Sequence, residues 1–263
     1  MTSKNYYSEW DRIISSWFQN RNVLSQPPLM DKKGSLSIDH LPEPFYGDMQ
    51  SCSIVIINLN PGTGLNDQCW SKQDQQGLFV NDVKNQGYSK YAKGFPLLMG
   101  KGPVDSVNWW KPRFAWINRI LKHKGLDKTD KKPFAIELVP LHSESFNVSS
   151  APKYVSNVRH NYPQIDIINA IEYAIQHSDA QMGLAIGKPI CEVLIKNGFT
   201  PVYGDLRNPI QPDPNKKRFY CVIENSTSRS RILCTWSYGS NQPPADMYNY
   251  NVFESDTLNV YFK

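Results

Sequence analysis

Residues 53–64 read Ser-Ile-Val-Ile-Ile-Asn-Leu-Asn-Pro-Gly-Thr-Gly, an apolar run from Ile54 to Ile57 that stops abruptly at a polar, Pro/Gly-stiffened turn. A short continuous apolar run bounded by turn residues is the pattern of a strand buried on both faces. Open α/β sheets place their sites where such strands end. Pro61 fixes its own φ, and Gly62 lets the backbone approach a ligand closely. Asn60 would therefore be held at the sheet edge with little freedom, aimed at a water or a ligand. The alternative role for Asn60 is to cap the turn with its own side-chain amide.

Further strands follow at Phe134–Val139, stopped by Pro140, and at Met182–Ile186, Phe219–Ile223 and Arg231–Trp236. Between them lie helical patterns. Trp10, Ile13, Ile14, Trp17 and Phe18 form one apolar face of a helix over 7–24. A helix over 112–124 would open at Pro112, with Phe114, Ile117, Ile120 and Leu121 inward. Pro163 would open another at 164–177, and Pro189 a third at 189–197 closed by Gly198. Strand–helix alternation predicts a three-layer α/β/α fold around a short, mainly parallel sheet. The stretch 60–105 carries few periodic signals but several aromatic residues, and is expected to be a long functional lid.

The chain has 263 residues and a formal net charge of +5, which fits a single domain and permits nucleic-acid binding without requiring it. The five cysteines are scattered without a C-x-x-C pair, which argues against a disulfide framework or a zinc or iron–sulfur site and fits a reducing cytoplasm. The sequence carries no apolar h-region and no run long enough for a membrane span. A Walker ending, H-E-x-x-H, G-x-S-x-G and an EF-hand loop are all missing. We expect no cofactor, no membrane partner and a monomer.

Three strands carry polar groups at or near their C-terminal ends: Asn58 and Asn60, Glu137 with His142, and Ser237 onward. In this respect the chain resembles the uracil-DNA glycosylase superfamily over roughly 45–245. The strand ending in Asn58-Leu59-Asn60-Pro61-Gly62 is similar to that family's first motif, Gly-x-Asn-Pro-Gly or Gly-Gln-Asp-Pro-Tyr. Leu184-Ala185-Ile186-Gly187-Lys188 resembles a structural segment of the family, and Phe95-Pro96 lies where it places a base-stacking aromatic. Outside the core stand the N-terminal helix and a Tyr-containing extension, 246–263.

The resemblance implies a metal-independent DNA glycosylase that flips a uracil-like or modified pyrimidine out of DNA and hydrolyses its N-glycosidic bond. Asn60 would orient the attacking water, and Asn58, Leu59, Phe95 and Glu137 would bind the base. Ser237 would contact the leaving base. Tyr238, Ser240, Lys101 and Arg113 would meet DNA, with Lys90, Lys93 and Lys111 as further cations and Trp109 and Trp110 as stacking candidates or core.

Two departures from the family stand out. Glu137 occupies the position of a base-reading Asn; an ionised carboxylate accepts but does not donate, which favours a base with an exocyclic amino group unless Glu137 is salt-bridged instead. The family's His-Pro-Ser loop is replaced by Ser237-Tyr238-Gly239-Ser240, leaving His142 as the candidate for a relocated imidazole. These departures keep open a non-catalytic nucleic-acid-binding protein, and, more distantly, hydrolysis of a free nucleoside.

Overall fold

The computed structural model describes residues 3–19, 36, 40–59, 61, 78–100, 104–143, 148–211, 218–237 and 261–262. Helix α1 (Ser3–Gln19) buries Trp10, Ile13, Ile14 and Trp17, the stripe its sequence spacing predicts. Its Tyr6 and Tyr7 rings pack on Phe45 at 5.8 and 5.1 Å between centroids. The helix begins four residues earlier than expected, and residues 20–24 lie outside the described residues.

The sheet has seven strands: β1 (Phe45–Tyr46), β2 (Val55–Asn58), β3 (Phe134–Glu137), β4 (Gly183–Ile186), β5 (Phe199–Tyr203), β6 (Arg218–Asn225) and β7 (Arg231–Ser237). Their spatial order is β1-β3-β2-β4-β7-β6-β5. The inner run β3-β2-β4-β7 is parallel throughout, whereas β1, β6 and β5 are joined antiparallel. The α/β class holds, but the sheet is neither short nor mainly parallel.

The physical reason lies at 225–231. Parallel neighbours need a crossover of a dozen or more residues. Asn225 instead turns the chain at once, its side-chain oxygen accepting from the amides of Thr227 (2.9 Å) and Ser228 (3.0 Å). The result is a hairpin with Cys221 opposite Cys234.

Helices fill the longer connections: α2 (Leu78–Gln86), α3 (Tyr88–Lys93), α4 (Val104–His123), α5 (Ala151–Asn161), α6 (Ile167–His177) and α7 (Lys188–Lys196). Helix α6 packs on β2 and β3, and α7 on β4, β5 and β7. The expected lid over 60–105 is thus largely helical from residue 78 to 99, with a 3-10 turn at Pro96–Met99. Residues 62–77 lie outside the described residues.

Helix α4 starts well before Pro112, which sits inside it. An interior proline removes one helical hydrogen bond at a cost of about 3 kcal/mol. The helix compensates by burying Trp110, Trp116, Ile117 and Ile120. Helix α6 is opened by Asp166, whose carboxylate accepts from Ile168 N (3.0 Å) and Asn169 N (3.2 Å), while Pro163 belongs to a preceding 3-10 turn. Among the described residues, no helix is long and apolar enough to cross a membrane.

Candidate functional site

The four parallel strands put their C-terminal ends on one edge of the sheet. From β2 the chain passes to the β3 side, and from β4 it passes to the β7 side. That reversal is a topological switch point, where open α/β sheets leave a crevice. Asn58 ends β2, Glu137 ends β3, Gly187 follows β4 and Ser237 ends β7.

Asn58 and Glu137 are register partners in adjacent parallel strands, so both side chains leave the sheet on the same face. Asn58 Nδ2 donates to Glu137 Oε1 at 2.8 Å, and both residues are buried. The other carboxyl oxygen, Oε2, is also buried and has no hydrogen-bond partner among the described residues. Burial is the main force raising the Glu137 pKa, to about 8. The nearby Glu43 carboxylate adds to it, while the Asn58 hydrogen bond, Arg113 and His142 pull the other way. Burial thus favours the carboxylic-acid form of Glu137, in which one oxygen would accept from Asn58 and the other would carry a proton to donate. Sequence reasoning treated Glu137 as an ionised, acceptor-only carboxylate; burial pushes it toward the acid form, which could donate as well as accept.

A second buried network adjoins the first. His142 Nε2 lies 2.7 Å from Glu43 Oε1, and the Tyr46 hydroxyl donates to Glu43 Oε2 at 2.6 Å. The His40 and His142 rings are 5.3 Å apart. Backbone bonds hold Glu43 in place, its amide donating to Pro140 O and the Glu137 amide to Pro44 O. Sequence reasoning missed Glu43 and Tyr46. Their spacing within Glu43-Pro44-Phe45-Tyr46, a carboxylate three residues before a tyrosine in an apolar segment, was the available signal.

Asn60 itself lies outside the described residues, but the chain on both sides of it is pinned. Leu138 N donates to Asn58 O (3.0 Å), Val139 N to Leu59 O (2.8 Å) and Ser143 N to Pro61 O (3.4 Å). The segment bearing His142 thus zips along the segment bearing position 60. Leu59 is partly buried against the core.

Phe95 is fully buried and adopts a left-handed backbone, φ 47°. Its ring contacts Tyr46, Trp110 and Phe114 at 5.3–5.5 Å between centroids, so it serves the core. Arg113, expected on the DNA surface, is buried instead. Its guanidinium stacks 3.1 Å from the centre of the Trp109 ring, its Nη1 donates to Trp109 O at 2.8 Å, and its charge acts on Glu137. Buried aromatic packing has captured Trp110 as well. Lys90, Lys93 and Lys111 are exposed, and Lys93 lies 3.5 Å from Asp48. Lys101, Tyr238 and Ser240 lie outside the described residues.

Ser237 is half-buried and pairs across the hairpin with Arg218, which places a guanidinium-bearing residue at the same edge. No local sequence pattern marks Arg218; it reaches the edge only because β6 runs antiparallel to β7.

A cavity of about 550 Å³ opens at the opposite edge, where Ser53 and Pro133 precede β2 and β3. Its wall includes Lys131, whose charge is taken by Asp179 at 2.5 Å. The convergent buried acid, amide and imidazole lie on the other edge, which is therefore the candidate site. No family model matches the chain, and neither a curated protein nor a solved structure matches it.

Proposed function

We propose that the protein is a DNA glycosylase that hydrolyses the N-glycosidic bond of a flipped uracil-like or modified pyrimidine. The observation that carries this reading is Glu137: a buried carboxyl at a parallel-strand C-terminus whose pKa burial raises, with one oxygen held by Asn58 and the other without a partner among the described residues. A protonated acid donates to a pyrimidine carbonyl and accepts from a ring N–H, so it suits the edge of uracil as an amide would. The uracil-DNA-glycosylase-like three-layer arrangement belongs to the same proposal.

In the proposed reaction, Asn60 orients a water toward the sugar C1′. The water oxygen bonds to C1′, the C1′–N bond breaks, and its electron pair leaves with the base. The water's proton is lost to the surroundings of the site. Donors near the departing base come from the His142 imidazole, whose Nε2 lies against Glu43, and from the guanidinium of Arg218 beside Ser237. Asn60 is a weak base, so orientation rather than proton removal is its contribution.

One observation favours the second reading, a non-catalytic nucleic-acid-binding protein: His142 is buried, and its Nε2 is already engaged by Glu43 Oε1 at 2.7 Å. The deciding experiment is base release from duplex and single-stranded oligonucleotides carrying uracil, hypoxanthine, xanthine or modified cytosines, with Asn60→Ala in parallel. Release of a pyrimidine that is lost in the variant supports the glycosylase. Salt-sensitive DNA binding without release from any substrate overturns it in favour of the binding protein.

A further inference from the structure

Three of the cysteines that lie far apart in sequence meet in the fold. Cys191 is on α7, and Cys221 and Cys234 face each other across the β6–β7 hairpin. All three are fully buried, and their sulfurs lie within 4.8 Å of one another, with Cys191 and Cys221 at 3.6 Å. Sequence spacing could not reveal this, because the cluster is made by a hairpin register and by a helix packed across it.

We propose that Cys191, Cys221 and Cys234 form a low-coordinate thiolate site for a soft d10 metal ion. Three sulfurs around such an ion, each at about 2.3 Å, sit about 4 Å apart. The sulfurs, all within 4.8 Å of one another, are therefore placed for an ion within shifts of less than about an ångström. Thiolate-rich sites select Cu(I), Zn(II) and their heavier congeners over oxygen-seeking cations. No histidine or carboxylate joins the cluster among the described residues, so the donor set is sulfur alone.

The three thiols are not equally disposed to ionise. Cys191 lies one turn into α7, near the helix N-terminus, where the helix field favours negative charge. Hydrogen bonds with the neighbouring thiols pull the Cys221 thiol below its ordinary value, whereas the hydrogen bond with Cys221 raises Cys191 and burial raises Cys234. An ion must therefore displace protons from those two, and the placement of the sulfurs is what supports the site. Binding exchanges thiol protons for the ion, with the protons released to solvent and no change in oxidation state. The ion would tie α7 to the hairpin, just behind the edge where Gly187 opens the helix. Cys52, by contrast, is a single buried thiol that meets the carbonyl of Ala174.

The test is titration of the reduced, intact protein with Cd(II), followed by its thiolate-to-metal charge-transfer absorbance. The expected result is a band that saturates at one ion per chain, with affinity at least tenfold weaker in Cys221→Ser and in Cys234→Ser but unchanged in Cys52→Ser. Cadmium NMR of the unsubstituted protein reads the ligand set directly and covers variants that fail to fold. A resonance of three-sulfur coordination supports the site. Absence of a band, a band that survives both substitutions, or an oxygen- or nitrogen-rich resonance overturns it and leaves the three cysteines as core packing.

Discussion

Asn58 donates to Glu137 across the join between the first two parallel strands, 2.8 Å from nitrogen to oxygen, and so holds a buried carboxyl group in a single orientation. The bond favours the ionised form, yet burial outweighs it and raises the pKa of the group to about 8. This balance makes the site sensitive to pH and to single-atom changes.

Replacing Glu137 with Gln keeps an acceptor for Asn58 and a donor in place of the acid proton. The folded state favours protonated Glu137, so its stabilising contribution is complete below the ordinary carboxylate range and is lost as pH rises to about 8. Wild-type stability should carry a component falling by about 1.4 kcal/mol per pH unit within that window. Denaturant unfolding at a series of pH values should show that component vanish in Glu137→Gln. An unchanged profile would mean the carboxyl is ionised in the folded protein. On the proposed reaction, base release by the wild type should decline above about pH 8, and release by Glu137→Gln should persist without that decline.

Asn58→Ala removes the one contact that stabilises ionised Glu137 through a hydrogen bond. The alkaline limb of the activity profile should move to higher pH, and base release should fall because the acid loses its fixed orientation. The cost in stability should be about 1–3 kcal/mol for a buried partner left unpaired. Steady-state release measured across pH separates this from a folding defect, which would lower activity equally at every pH.

Asp166 both caps α6 and accepts from Arg159 Nε at 2.9 Å. Asp166→Ala should lower stability by about 2 kcal/mol, with Asp166→Asn recovering most of the loss through its capping oxygen. Thermal unfolding of the two variants checks this; equal losses would assign the effect to the ion pair.

Gly183 lies in the middle of the parallel core, and a methyl group there would stand 3.0 Å from both Ile175 Cδ1 and Ile232 Cγ1. Gly183→Ala should cost about 1–3 kcal/mol by overpacking, and Gly183→Ala combined with Ile175→Val should recover part of it. A neutral single substitution would show that the isoleucines move aside freely.

The buried strands were legible because each is a continuous apolar run with a sharp polar end. Asn58, Glu137 and His142 could be placed on one edge for that reason. The antiparallel half was less visible: a short gap at 226–230 forbids a crossover, but apolar runs alone do not state strand direction. Helices α2, α3 and α5 were missed because tyrosines, lysines and asparagines blur their apolar faces. Arg113 and Phe95 were read as ligand contacts because sequence shows residue type and not enclosure. Only the packing of Trp109, Trp110 and Phe114 around them reveals that they belong to the interior. Glu43 was read as part of a connecting loop, since its partners at 46 and 142 become neighbours only once β1 lies beside β3.

The two halves of the sheet also differ in how far apart in sequence their partners lie. The β6–β7 hairpin closes a short loop, whereas the Asn58–Glu137 contact joins residues 79 positions apart. Loop closure over that span must be met before the contact returns any energy, so the hairpin should form early and the β2–β3 edge late. Pulse-labelled hydrogen exchange during refolding should protect the amides of Cys221 and Cys234, which pair across the hairpin, before those of Leu138 and Val139. Simultaneous protection would refute the order. A chain arrested partway would then possess its framework but not the Asn58–Glu137 pair, so misfolded or newly made molecules would lack the candidate site until the last crossover has closed.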